Sequence, residues 1–160
     1  MRVRSEAPLR QVIALLYRAI GAGLAIGIME GSARLGHLET IRLPFVTSIV
    51  LTLFASESKS AQPYAVVTGH LVSSIAGVAA LFCFGPGDAA AVLGVGAAAS
   101  LMAGFRALHP PAGVDAFLIA QLDLPWSWIV NSVLVGAILL AGFSQLWACG
   151  GRYLSMRWDR

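Results

Sequence analysis

The chain has 160 residues, of which 58% are hydrophobic and 12% are charged, and its formal net charge is +3. Soluble domains carry about 45–50% apolar and about 25% charged residues, so this composition excludes a soluble globular domain. The basic residues flank the apolar runs at both ends of the chain, which indicates membrane topology and no nucleic-acid binding. We therefore expect one integral membrane domain over residues 1–160, with the lipid bilayer as its partner.

Four apolar runs are long enough to cross a membrane, since a helix needs about 20 residues to span ~30 Å of hydrocarbon. The predicted full spans are Gln11–Met29, Tyr64–Phe84, Ala89–Leu108 and Trp126–Cys149. Rows of small residues within them predict close helix packing and offer faces for pairing two copies of the chain. These rows are Gly23, Gly27 and Gly31 in and just after the first run, and Gly96 and Ser100 in the third.

Two further apolar segments are short and open with proline. Leu43–Ala55 and Pro110–Leu122 each hold 13 residues, or roughly 20 Å of helix at ~1.5 Å per residue, which falls short of a full crossing. Proline suits the first helical turn because its missing N–H has no partner there. Each half of the sequence, about 11–84 and 89–149, then contains a long span, a short span, a proline turn and a long span.

This pattern predicts an all-α membrane protein, a compact helical bundle of six membrane segments arranged as a 3+3 inverted repeat. The alternative is four spans plus two re-entrant segments, which would move Lys59 to the outside. The basic residues favour six segments and both termini in the cytoplasm of a bacterial inner (plasma) membrane, because they then lie mostly inside. The inside set is Arg2, Arg4, Arg10, Lys59, Arg106, Arg152, Arg157 and Arg160, against Arg34 and Arg42 outside.

The most notable polar residues are those at membrane depth, where an ionisable side chain is a functional candidate. His70, Ser73 and Ser74 have the i, i+3, i+4 spacing that puts them on one side of a helix. They form either part of a transport pathway or an interhelical hydrogen-bond cluster worth about 0.6 kcal/mol per bond. Both interpretations stay open.

The segment His109–Gly113 follows the fourth of the six predicted segments and opens the fifth, with Asp115 about one turn inside. The N–H groups and dipole of a helix start attract anions, so this start and the one at Pro44–Ser48 predict two anion-binding positions. The alternative is a tight proline turn in which His109 serves only as a capping hydrogen-bond partner.

The sequence resembles the HPP family of small integral membrane proteins. The resemblance rests on Pro44-Phe45-x-x-Ser48, Ala61-Gln62-Pro63, Gly69-His70-x-x-Ser73 and His109-Pro110-Pro111-Ala112-Gly113, in order and covering most of the chain. It implies a compact bundle and, from chloroplast and cyanobacterial members, nitrite transport. Asp115 departs from the small or hydroxyl residue expected there, and its carboxylate would repel an anion unless protonated or paired.

We therefore predict a transporter for a small, nitrite-like inorganic anion, either passive or proton-coupled. The predicted substrate-binding residues are Pro44, Thr47, Ser48, Gly69, His70, Ser73, Ser74, His109, Pro110 and Pro111. Asp115 is the candidate for proton coupling, and Arg106 is the candidate for compensating its charge. Histidine suits proton coupling because its unperturbed pKa is ~6.5.

The alternative function is a non-transporting scaffold or accessory subunit of a membrane complex. An enzyme is not expected, because no nucleophile–base pair or metal-ligand set has usable sequence spacing. Cys83 and Cys149 are isolated thiols with no Cys-x-x-Cys spacing, so neither a metal, a cofactor nor a disulfide is predicted.

Overall fold

The computed structural model describes residues 7–35 and 44–158, and within these ranges the chain forms six α-helices. They are α1 (Ala7–Leu35), α2 (Phe45–Phe54), α3 (Pro63–Phe84), α4 (Asp88–Gly104), α5 (Gly113–Leu122) and α6 (Val135–Trp158). Two 3₁₀ turns, Lys59–Ala61 and Pro110–Ala112, precede α3 and α5, and a π-helical turn, Ile129–Leu134, leads into α6. The predicted all-helical fold is confirmed for the described residues. Leu43 and the topology residues Arg2, Arg4, Arg42 and Arg160 lie outside them.

Three of the helical stretches are long and apolar enough to cross a membrane: Leu9–Leu35, Pro63–Phe84 and Ile129–Tyr153. They correspond to three of the four predicted full spans. The fourth prediction, Ala89–Leu108, differs from the structure, because α4 has 17 residues and ends at Gly104. Residues 7–35 and 44–158 thus contain three full-length candidate spans and shorter apolar helices between them.

The early end of α4 comes from backbone hydrogen bonds that the apolar pattern does not reveal. Arg106 has a left-handed backbone, with φ at 55°, and its N–H donates to the Ala103 carbonyl at 3.1 Å. The next N–H, from Ala107, donates to the Met102 carbonyl at 2.9 Å. This pair of bonds is a Schellman motif, which ends a helix by satisfying its last carbonyl groups.

The two short helices are confirmed, although each is shorter than predicted. α2 and α5 have 10 residues each, or about 15 Å of helix at ~1.5 Å per residue. Pro44 is the N-cap of α2. In the second segment the prolines belong to the 3₁₀ turn, so the α-helix begins at Gly113 and not at Pro110.

The helices pack in two groups, α1–α2–α6 and α3–α4–α5. The core of the first group includes the large side chains of Phe45 and Ile49, whereas the core of the second consists mostly of alanines, with Gly77 packed closely against Ala116. In the first group α6, the last helix of the second sequence half, packs against α1 and α2 of the first half. In the second group α3, the last helix of the first half, packs against α4 and α5 of the second half. An inverted repeat predicts this exchange, and the repeat itself stays a prediction.

The two short helices run toward opposite ends of the bundle. The last carbonyl of α2, at Phe54, accepts a hydrogen bond from Arg18, and α2 contacts the turn that precedes α3. The Ala120 carbonyl of α5 instead accepts the Gly87 N–H at 3.0 Å, in the turn that follows α3. Their first turns therefore face each other inside the bundle.

The glycine rows singled out in the sequence do not make the close packing expected of them within the described chain. Gly23, Gly27 and Gly96 have no atom within 4 Å of an added Cβ. The close helix contacts come from other glycines, above all Gly77, where an added Cβ would lie 2.7 Å from the Cα of Ala116. The exposed rows leave the predicted pairing of two copies as a prediction.

Candidate functional site

Four polar side chains meet where the first turns of α2 and α5 approach α3. Ser48 comes from α2, His70 from α3, His109 from the loop after α4, and Asp115 from α5. All four are 0% exposed. Buried polar groups are costly unless they are hydrogen-bonded, so their mutual contacts determine what this site can do.

The four side chains form one continuous chain of hydrogen bonds, here called the relay. Asp115 Oδ2 lies 2.7 Å from His70 Nδ1, and His70 Nε2 lies 2.9 Å from Ser48 Oγ. Ser48 Oγ is also 2.9 Å from His109 Nε2, and His109 Nδ1 lies 2.6 Å from the backbone oxygen of Ser60. The relay thus runs from the start of α5 to the 3₁₀ turn before α3.

The hydrogen bond between His109 and the Ser60 carbonyl determines which nitrogens in the relay carry hydrogens. A carbonyl only accepts, so His109 Nδ1 carries a hydrogen and donates it to Ser60. Ser48 has a single hydrogen for two imidazole nitrogens at the same distance of 2.9 Å. If that hydrogen goes to His109, His70 Nε2 must donate to Ser48. One further proton is then shared between His70 Nδ1 and Asp115.

With this proton count the relay has no net charge, and one proton can occupy three places. It can lie on Asp115, on His70 as an imidazolium beside the Asp115 carboxylate, or on His109. The last arrangement arises when each hydrogen shifts along its own bond: Asp115 to His70 Nδ1, His70 Nε2 to Ser48, and Ser48 to His109 Nε2. No side chain has to rotate, so the geometry permits proton transfer along the relay.

Neighbouring residues of α3 hold the relay in place. The Ser74 hydroxyl donates to the His70 carbonyl at 2.9 Å, and Ser73 Oγ accepts the Ala116 N–H of α5 at 3.4 Å. Gly69 leaves room for His109, because an added Cβ would lie 2.8 Å from the His109 Cβ. Through these contacts Ser73, Ser74 and Gly69 position the relay. Their predicted contact with a substrate stays a prediction.

The comparison with protein families shows which family the chain belongs to. The transmembrane region of the HPP family matches residues 7–151. The chain belongs to the HPP family. No curated protein and no solved structure matches it. Family membership establishes an integral membrane protein, and it leaves the substrate and the mechanism to be argued from the site.

In the His-Pro-Pro tripeptide of this HPP protein, the histidine and the two prolines have different roles. His109 is buried in the relay, whereas Pro110 is exposed and Pro111 is half-buried. The two prolines form the 3₁₀ turn that packs against α2. The prolines therefore hold His109 and α2 together, and of the three residues only the histidine has a side chain that can carry a proton.

The other predicted site residues lie at varying distances from the relay. Pro44 is buried, and its carbonyl is 3.4 Å from Ser48 Oγ. Thr47 lies on the exposed face of α2 and Arg106 is exposed at the end of α4. Among the described residues, the ion-pair partner of Asp115 is His70. This placement gives Arg106 a backbone role in ending α4.

A pair of substitutions tests that backbone role of the HPP protein. Arg106→Gly should be more stable than Arg106→Ala by about 1 kcal/mol, because glycine adopts a left-handed backbone without a steric cost. Thermal unfolding of both variants in detergent measures the difference. Equal stability, or a more stable alanine variant, would contradict the role of Arg106 in ending α4.

Sequence spacing did not reveal that Ser48, His70 and Asp115 meet, since 22 and 45 residues separate the bonded pairs. The sequence shows no nucleophile–base pair at usable spacing, whereas in the fold Ser48 Oγ lies 2.9 Å from His70 Nε2. That the chain is not an enzyme stays a prediction. The Ser60 carbonyl was missed altogether, because a backbone oxygen carries no signal in a sequence. The available signal was burial: ionisable residues in apolar segments need partners.

Proposed function

We propose that this HPP protein is a proton-coupled transporter of a small monovalent anion, nitrite-like in size. The relay is the observation that carries the proposal, because it links four buried side chains through bonds of 2.7–2.9 Å. The proposal also keeps six membrane segments in an inverted repeat and both termini in the cytoplasm. Ser60 and His109 then lie on the cytoplasmic side of the site.

The anion part of the proposal rests on the two helix starts. The first turns of α2 and α5 meet at the relay, and each helix start carries roughly half a positive charge. Oriented N–H groups at such starts favour anions. Asp115 would oppose an anion as a free carboxylate, but its partner His70, at 2.7 Å, neutralises the pair.

The coupling of proton uptake to anion uptake follows from the free-energy cost of burying a net charge. The relay accepts one extra proton without losing a hydrogen bond: both imidazoles donate to Ser48 Oγ, and Ser48 donates to the Pro44 carbonyl, 3.4 Å away. The site then carries one positive charge, which is expensive at membrane depth. One monovalent anion removes that charge, so proton and anion should be taken up together.

The test is nitrite uptake into proteoliposomes with and without a pH gradient, with proton movement followed by an enclosed pH dye. We expect the native chain to move protons and nitrite together. Ser48→Ala should reduce both to background, because the two imidazoles lose the hydroxyl that joins them. Thr47→Ala is the matched control, since it removes a hydroxyl from the neighbouring, exposed position. Circular dichroism and gel filtration must confirm that each variant is folded.

The outcomes separate the candidate functions. Native nitrite uptake that persists in folded Ser48→Ala would reject the relay as the coupling element. Nitrite uptake at background in the native chain would reject nitrite transport and favour the non-transporting scaffold. Loss of uptake in both Ser48→Ala and Thr47→Ala would reject a specific role for Ser48.

A second candidate function, acyl transfer, is favoured by one observation. Ser48, His70 and Asp115 have the hydrogen-bond order of a serine hydrolase triad, with Nε2 facing the hydroxyl and Nδ1 facing the carboxylate. In that order the Ser48 hydrogen must point to His70, which requires a charged, buried His109. The relay also has an arrangement in which both imidazoles are neutral and every nitrogen is hydrogen-bonded, and in it Ser48 donates to His109. Transport is therefore the better-supported function. Labelling of Ser48 by a fluorophosphonate probe would reverse the ranking.

A further inference from the structure

A groove unrelated to the relay lies between α1, the end of α2 and α6. Its volume is about 320 Å³, within the range of about 300–1,000 Å³ typical of small-molecule sites. Apolar side chains such as Ile13, Leu53 and Ala148 line its walls. The charged residues lining it are Arg10, Arg18, Arg152 and Glu57, an excess of two positive charges.

Arg18 gives this groove its chemical character. It lies eight residues after Arg10 in α1, or about 12 Å deeper along the helix at ~1.5 Å per residue. It is half-buried, and one of its five N–H groups donates to the Phe54 carbonyl at 3.2 Å. Among the described residues no carboxylate lies within salt-bridge distance of it. A half-buried guanidinium in apolar surroundings favours an anionic ligand.

The shape and the charge of the groove fit one class of ligand. A soluble anion would use the arginines but leave the apolar walls empty, whereas a phospholipid supplies a phosphate and hydrocarbon together. Basic pockets between membrane helices bind anionic lipid headgroups in this way. We propose that the groove binds an anionic phospholipid, with its phosphate on Arg18, its headgroup toward Arg10 and Arg152, and its chains against Leu53 and Ala148.

The test compares lipids of equal chain length on the full-length protein in neutral detergent at fixed ionic strength. Dioleoyl phosphatidylglycerol should raise the thermal unfolding midpoint in a saturable way, whereas dioleoyl phosphatidylcholine and inorganic phosphate should not. Arg18→Gln should weaken phosphatidylglycerol binding about fivefold, the equivalent of ~1 kcal/mol for one basic residue. Arg34→Gln is the matched control, because Arg34 also lies on α1, is exposed, and pairs with Glu30 away from the groove.

A second variant tests whether binding needs the open volume of the groove as well as its charge. Ala148→Phe fills the groove without removing an arginine and should abolish the phosphatidylglycerol effect. An equal shift with phosphatidylcholine would overturn the proposal, because the charge would then play no part. Stabilisation by inorganic phosphate alone that survives in Ala148→Phe would also overturn it, since a free-anion site would be the explanation. Equal weakening by Arg18→Gln and Arg34→Gln would show a non-specific charge effect and overturn it as well.

Discussion

Replacing His70 with leucine is expected to lower the free energy of unfolding by about 3–5 kcal/mol, the usual cost of breaking a buried pair. The substitution removes the partner of Asp115 Oδ2, and Asp115 Oδ1 already has no hydrogen-bond partner among the described residues. The carboxyl group would then be buried without its ion-pair partner. Chemical or thermal unfolding of the purified protein in detergent measures the loss.

The double variant His70→Leu/Asp115→Leu provides the control. Replacing both members of a buried pair by apolar residues is often nearly neutral, because no charged group is left behind. We therefore expect the double variant to be more stable than either single variant. A double variant whose loss equals the sum of the two single losses would mean that the residues are not coupled, and it would remove the ion pair from the description of the site.

Gly77→Ala is expected to have the second large effect, since the new Cβ would lie 2.7 Å from the Cα and 3.1 Å from the carbonyl oxygen of Ala116. Backbone cannot move aside as a flexible side chain does, so α5 must shift away from α3. Overpacking of this kind costs about 1–3 kcal/mol. Ala116 follows Asp115 directly, so the shift should also lengthen the contact between Asp115 and His70.

The matched control for this substitution is Gly96→Ala in α4, where no atom lies within 4 Å of the added Cβ. That variant should be as stable as the native protein or more stable, because alanine favours helix over glycine by about 1 kcal/mol. Unfolding and proton movement are measured on both variants. If Gly77→Ala matches Gly96→Ala in both measurements, the close approach of α3 and α5 does not position the relay.

Much of the fold was predictable because bilayer thickness relates helix length directly to residue number. The runs Gln11–Met29 and Tyr64–Phe84 correspond to spans in the structure, and both short segments are helices. The end of α4 was not predictable from hydrophobicity. Phe105, Ala107 and Leu108 continue the apolar run, and only the left-handed backbone at Arg106 ends the helix.

The candidate site was predictable by residue type and less so by role. His70, His109, Ser48 and Asp115 were identified because polar groups at membrane depth need partners. Their hydrogen-bond order depends on distances between four separate segments, which spacing along one chain does not encode. Arg106 was the candidate for compensating the Asp115 charge, whereas the left-handed turn at Arg106 accompanies an exposed side chain.

The unequal lengths of the outer helices imply a bilayer of uneven thickness around the protein. α4 has 17 residues and α1 has 29, or about 26 Å and about 44 Å of helix, against roughly 30 Å of hydrocarbon. In the proposed arrangement of six membrane segments, lipid would thin beside α4 and α1 would tilt, each at a cost of fractions of a kcal/mol per Å. We therefore expect the stability of the protein in vesicles to depend on acyl-chain length as well as on headgroup.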